Sequence, residues 1–296
     1  MKDRMNYIRT DMASECHSEH SGKELSGLNI REEKMSGFDV SYLDITDKET
    51  EDILKKPKGR YVTINIGKIW LETDKRRDDA VSLIGNELHS LISSLCGKAE
   101  SALVVGLGNR YIISDAIGPM TVKGLIVNRH IKEHDPILFK KFGSLPLSAI
   151  APGVTGQTGI EALDIVKGAV SAVEPSVVIV IDALAARDVE RLGTTVQLSN
   201  TGIAPGSGIG NRRRAIDKNT LGVPVISIGV PTVVDSSTLV FGMLEKAGIN
   251  ELSPSLESEL NNGRSFFVTL KDTDTVINEM SSLISDAVHF AVSINE

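Results

Sequence analysis

Aromatic residues make up only 4% of the 296 residues, with a single tryptophan. Stacking on single-stranded nucleic acid needs aromatic platforms, so this chain is poorly equipped for it. Cysteine is scarcer still: Cys16 and Cys96 are the only two, which excludes a disulfide framework and suits a reducing compartment. Positive charge is also short, with 32 Lys and Arg against 39 Asp and Glu and a formal charge of −7. That balance argues against the phosphate backbone of DNA or RNA as a partner. No uninterrupted apolar run reaches the about 20 residues of a membrane helix. The N-terminus, Met-Lys-Asp-Arg-Met-Asn-Tyr, lacks the apolar segment of a secretory leader. A cytoplasmic protein is expected.

Hydrophobic residues at 41% and charged residues at 24% are ordinary for a globular domain. Residues 1–58 are polar and rich in Ser, Glu, Lys and His, and read as a leader followed by a loosely packed arm. Order is expected from Tyr61, where Val62, Ile64 and Ile66 alternate with polar neighbours as in a half-buried strand. Residues 78–95 carry Val81, Ile84, Leu88, Leu91, Ile92 and Leu95 at helical spacing, and Gly97 follows as a stop. Further strands are read at residues 102–106, 123–127, 147–151, 177–182, 194–198 and 225–230. Helices are read at residues 160–173, after Asp235 as far as Lys246, and at residues 273–292. This alternation predicts one α/β domain over residues 59–296, a mostly parallel sheet flanked by helices.

Two acids follow the most apolar strands. The run Val177-Val-Ile-Val-Ile is β-branched throughout, marking a strand buried on both faces, and it stops at Asp182. Asp115 lies a short loop beyond Ala102-Leu-Val-Val-Gly. Ligands of open α/β sheets bind at the carboxyl ends of strands. Two neighbouring carboxyls share a proton, leaving one as acid and the other as base toward water. Spacing alone leaves this pairing open: either acid could cap a turn, and Asp235 occupies a similar position after Pro231. The glycine-rich stretches complete no phosphate motif. Gly106-Leu-Gly-Asn has Tyr111 where a third glycine would stand, and Gly206-Ser-Gly-Ile-Gly is followed by Asn211-Arg-Arg-Arg. Cys16, His17 and His20, or His130 with His134, make no full zinc set, so no metal and no cofactor is expected. Cys96, near the end of an apolar helix, reads as an inert thiol.

Taken together, the ordered motifs resemble a known family. They are Val104-Val-Gly-Leu-Gly-Asn, Asp115-Ala-Ile-Gly-Pro, Pro152-Gly-Val-Thr-Gly-Gln-Thr-Gly-Ile-Glu, Ile181-Asp-Ala-Leu-Ala-Ala-Arg, Asn200-Thr-Gly-Ile-Ala-Pro-Gly-Ser-Gly-Ile-Gly-Asn and Ile228-Gly-Val-Pro-Thr-Val-Val-Asp. The family is the germination protease of endospore-forming bacteria, which starts the degradation of small acid-soluble spore proteins. The resemblance runs from about Tyr7 to Asp235 and more faintly through the last helix. It implies a fold similar to the hydrogenase-maturation endopeptidases, a homotetramer, and a location in the forespore and spore core. It also implies that Asp115 and Asp182 are the essential aspartates of an aspartic-type endopeptidase.

The family is made as a zymogen that removes its own N-terminal segment, cutting after an acidic residue and before a hydrophobic residue and Ala. Asp11-Met12-Ala13 fits that rule, dividing the chain into a propeptide (1–11), an arm (12–58) and a peptidase domain (59–296). Gly206, Ser207, Gly208, Asn211 and Asp235 are read as substrate-binding residues. Two departures stand out: residues 246–261 are abbreviated, and Thr155 replaces the usual Met. The competing readings are a metal-assisted endopeptidase using the same carboxylates and a non-catalytic nucleotide- or anion-binding protein.

Overall fold

The computed structural model describes residues 9–18, 25–206, 214–249, 253–260 and 266–294. One sheet organises the chain. Its strands are β1 Leu28–Met35, β2 Phe38–Ile45, β3 Gly59–Asn65, β4 Ala102–Gly106 and β5 Leu147–Ile150, then β6 Val177–Ala186, β7 Thr195–Ser199, β8 Val225–Asp235 and β9 Phe267–Val268. Their spatial order is β1-β2-β3-β7-β8-β6-β4-β5, with β9 pairing β8. The helices of the first half are α1 Ala13–Ser18, α2 Lys48–Leu54, α3 Asp74–Cys96, α4 Ile117–Gly124, α5 Arg129–His134 and α6 Pro136–Phe142. Those of the second half are α7 Thr155–Thr158, α8 Ala162–Val173, α9 Lys218–Leu221, α10 Ser236–Lys246, α11 Pro254–Leu260 and α12 Thr273–Ser293. Among the described residues no helix is long and apolar enough to cross a membrane.

The alternation along β4 and β6 explains their unbroken apolar runs. Leu103, Val105, Val178 and Val180 pack against Leu163, Val166 and Val170 of α8. Val104, Ile179 and Ile181 face the opposite layer, in one core with Ile84 and Leu88 of α3 and Met280 and Ile284 of α12. Both faces of these strands are therefore dry, which selects apolar residues at successive positions in place of polar–apolar alternation.

The α/β class with flanking helices is as expected, but parallel pairing is confined to β5, β4, β6 and β8. The other half, β7, β3, β2 and β1, is antiparallel. The connection from Ala186 to Thr195 is shorter than the dozen or more residues a parallel crossover takes, so β7 enters in the reverse direction.

Residues 28–54 are sheet and core rather than a loose arm. Phe38, Val40 and Tyr42 join the main core, and Leu43, Ile45, Leu54 and Tyr61 form a smaller one with Ala13. Their polarity comes from β1, an edge strand exposed from Asn29 to Lys34, whose charges guard the open edge. Two further expectations change. Residues 123–127 are not a strand, because helix α4 occupies 117–124. The strand carrying Asp182 does not stop there: β6 stays paired with β8 as far as Ala186.

Candidate active site

Glycines bring the two acids together. The N-terminal turn of α4 lies directly on the ends of β4 and β6: a Cβ at Gly118 would stand 2.2 Å from the Leu107 carbonyl oxygen and 2.6 Å from that of Ile181. The contact is reciprocal, since a Cβ at Gly106 would lie 2.2 Å from the Gly118 oxygen. Gly108 has φ 111, a conformation glycine alone adopts readily, and passes against the backbone of Asp115. The glycines of Gly106-Leu-Gly-Asn and Asp-Ala-Ile-Gly-Pro thus serve backbone packing. Asp115 closes a short 3₁₀ turn (Ile113–Asp115), and its Oδ2 accepts a 2.8 Å hydrogen bond from the Asn109 amide.

Asp182 sits inside β6 opposite Gly229 and is only 6% exposed. Its Oδ1 accepts from the Ala183 amide at 3.0 Å. Asp115 and Asp182 line one crevice of about 290 Å³ together with Gly108, Ser114, Val154 and Leu184. A second crevice, of about 540 Å³, adjoins it and is lined by Asp182, Lys56, Gln197, Ser199, Asp217 and Gly206. Asp182 and Asp11 belong to both.

The N-terminal segment runs through this junction. β4 pairs β6 only as far as Ile181, so the end of β6 projects past its neighbour. Asp11 occupies that edge: its amide donates to the Ala185 oxygen at 2.8 Å, and its Oδ2 accepts from the Ala185 amide at 2.9 Å. The Asp11 carbonyl oxygen accepts from Lys56 Nζ at 2.8 Å and from Gln197 Nε2 at 3.5 Å. Met12 is fully buried, and the Ala13 amide donates to Gln197 Oε1 at 2.8 Å. Gln197 thereby brackets Met12 with one carboxamide, bonding the carbonyl before it and the amide after it.

Anchors lie on either side of that bond. Upstream, the Arg9 amide donates to Thr238 Oγ1 at 3.0 Å, and its guanidinium lies 3.6 Å from Asp235. Downstream, the buried Glu15 carboxylate accepts from the Arg187 amide at 2.8 Å and the Asp188 amide at 3.1 Å, with Arg191 Nε at 3.2 Å and the Thr10 hydroxyl also bonded to it. Glu15→Ala strips two backbone donors of their acceptor and should lower stability by about 2–4 kcal/mol, measurable by urea unfolding.

The other singled-out residues fall as follows. Gly206 lines both crevices, whereas Ser207, Gly208 and Asn211 lie outside the described residues, as do His20, Arg212 and Arg213. Asp235 is buried and caps α10, accepting from the Ser237 and Thr238 amides at 3.1 Å, in addition to facing Arg9. His130 and His134 lie on α5, and no three His, Cys, Asp or Glu residues among those described converge as a metal set. Burial pushes the Cys96 thiol up, away from the reactive thiolate.

Lys56, Gln197 and Glu15 went unnoticed in the sequence. Gln197 had a readable signal: in Thr195-Val-Gln-Leu-Ser the alternate residues Thr195, Gln197 and Ser199 are all polar, yet all are buried. A polar strand face inside a domain marks a surface covered by something that hydrogen-bonds. Lys56 carried no such signal, being one of four lysines and arginines between residues 55 and 60.

A family model described as germination protease matches residues 8–247. The germination protease of Caldanaerobacter subterraneus subsp. tengcongensis is 45% identical over 256 residues, covering 85% of this chain and 76% of its own. That of Clostridium acetobutylicum is 36% identical over 289 residues, 96% of this chain and 86% of its own. That of Bacillus subtilis is 45% identical over 239 residues, 78% of this chain and 64% of its own. Among solved structures, the [NiFe] hydrogenase maturation protease HycI from Thermococcus kodakarensis KOD1 covers 68% of this chain and 98% of its own, at 14% identity and a TM-score of 0.35.

Proposed function

The chain belongs to the germination protease family of endopeptidases, and from that membership we propose that it is a self-processing zymogen whose Asp115 and Asp182 cut the Asp11–Met12 bond. After that cut, the same pair hydrolyses small acid-soluble spore proteins at similar sites, behind an acidic residue and before a hydrophobic residue and Ala. The observation carrying this reading is that Asp11 is held at the junction of two crevices that share Asp182, one of them also lined by Asp115.

The chemistry follows from the carboxyl pair. One carboxylate takes a proton from water, and the other, protonated, donates toward the scissile carbonyl. The contacts of residues 9–13 supply the specificity. The Ala185 amide receives an acidic side chain before the cut, and the space filled by Met12 receives an apolar one after it. Asp235 would hold a basic residue two positions upstream of the acid, as it faces Arg9 here. Residues 1–11 form the propeptide in this reading. Gly206 lines both crevices and, with Ser207, Gly208 and Asn211 by family resemblance, is proposed to bind substrate.

The enzyme is proposed to act as a homotetramer in the forespore and spore core. The decisive experiment is intact-mass analysis of the purified full chain over time after mild acidification. A product beginning at Met12 is expected. An unchanged mass, or a new N-terminus elsewhere, rejects the self-cleavage reading.

A further inference from the structure

The Asp11 carbonyl oxygen receives two side-chain donors, and neither belongs to the carboxyl pair. Lys56 Nζ is 2.8 Å away and Gln197 Nε2 3.5 Å. Both are set in place by their own surroundings. Lys55 ends α2 in the left-handed conformation, with φ 52, which reverses the chain and delivers the next residue over Asp11. Pro57 then restricts Lys56 to extended backbone, and the buried Tyr61 hydroxyl holds the Pro57 oxygen at 2.8 Å. Burial pushes the Tyr61 phenol upward, so it remains a donor. The carboxamide of Gln197 is oriented by the Ala13 amide, one residue beyond the scissile bond on the far side of Met12.

We infer that Lys56 is a catalytic residue of the cut: its ammonium takes up the negative charge that develops on the Asp11 carbonyl oxygen, with Gln197 as the second donor. The inference rests on the self-cleavage reading above. Water adds to the Asp11 carbonyl carbon, and its proton passes to the basic carboxylate of the pair. The former carbonyl oxygen becomes an alkoxide held by Lys56 Nζ and by a hydrogen bond from the second carboxyl, which keeps its proton at this stage. Collapse restores the carbon–oxygen double bond and breaks the bond to nitrogen, which takes a proton from the second carboxyl and departs as the Met12 amine. A fixed cation at that oxygen gains strength as charge accumulates, so it lowers the barrier more than it stabilises the resting peptide. Spore-protein substrates laid in the same groove would present their scissile carbonyl to the same donors.

The test uses the full chain with Lys56→Met and Lys56→Arg. The first-order appearance of the Met12 N-terminus is followed by intact mass, and hydrogen exchange is followed at the Asp11 and Ala13 amides. Lys56→Met should slow the cut about 100-fold or more while both amides keep their protection, and Lys56→Arg should restore much of the rate. Wild-type speed in Lys56→Met overturns the inference. So does a rate loss matched by loss of amide protection, which would make Lys56 only an anchor. Failure of the wild-type chain to yield Met12 rejects the underlying reading instead, and the inference with it.

Discussion

Asp182→Asn is expected to leave the protein folded and slow release of residues 1–11 by about 10³-fold, and Asp115→Asn should do the same. The substitutions keep the local contacts, because an amide oxygen can still accept from the Ala183 amide at position 182 and from the Asn109 amide at position 115. What is lost is a group that can both take and give a proton. Residues acting as one unit are not additive, so the double variant should be little slower than either single one. Intact mass gives the rate, and the melting temperature shows that the fold survives. A wild-type rate in either single variant would remove that acid from the mechanism.

The second large effect is on stability. Gly118→Ala would force a methyl group to within 2.2 Å of the Leu107 oxygen and 2.6 Å of the Ile181 oxygen. Both neighbours are backbone, locked between β4 and β6, which are bonded at Gly106 and Ile181 and by the Leu107 amide donating to the Ile181 oxygen at 2.8 Å. Neither can yield as a flexible side chain would. Overpacking of a close-packed interior usually costs 1–3 kcal/mol, and with rigid backbone on both sides a loss of about 3 kcal/mol or more is expected in urea unfolding. Gly168→Ala is the contrast: it lies in α8 with open space around its Cβ and normal φ. That change should stabilise by up to about 1 kcal/mol through helix propensity. Equal effects at the two glycines would show that the α4 contact is not what position 118 serves.

Local periodicity made most elements legible. The helix read over residues 78–95 is the heart of α3, whose Thr73 cap precedes a charged first turn, Asp74-Lys-Arg-Arg, that hid its start. The strand read at 194–198 and the helix read at 273–292 each match within a residue. The edge hairpin was not legible, because an exposed edge strand bears charges where a buried one bears apolar residues. Nor was α4, because its first turn contains a Gly-Pro pair, Gly118-Pro119, that reads as a turn and instead forms a helix packed on strand ends.

The sequence by itself determined the family, two acids placed after strongly apolar strands, and a segment, Asp11-Met12-Ala13, that fits the cut site the resemblance implies. Those properties are short-range: a strand's burial and a motif's order are written in consecutive residues. Only the tertiary structure decided that Asp11 lies on the free edge of β6, 174 positions away in the chain, and that Lys56 and Gln197 meet its carbonyl from 45 and 186 positions away. Such meetings depend on sheet order, on β4 ending before β6, and on glycines that let α4 touch the strand ends. Hydrophobic pattern records that a face is covered, but not which residue covers it. Here the covering residues are those that this enzyme is proposed to cut.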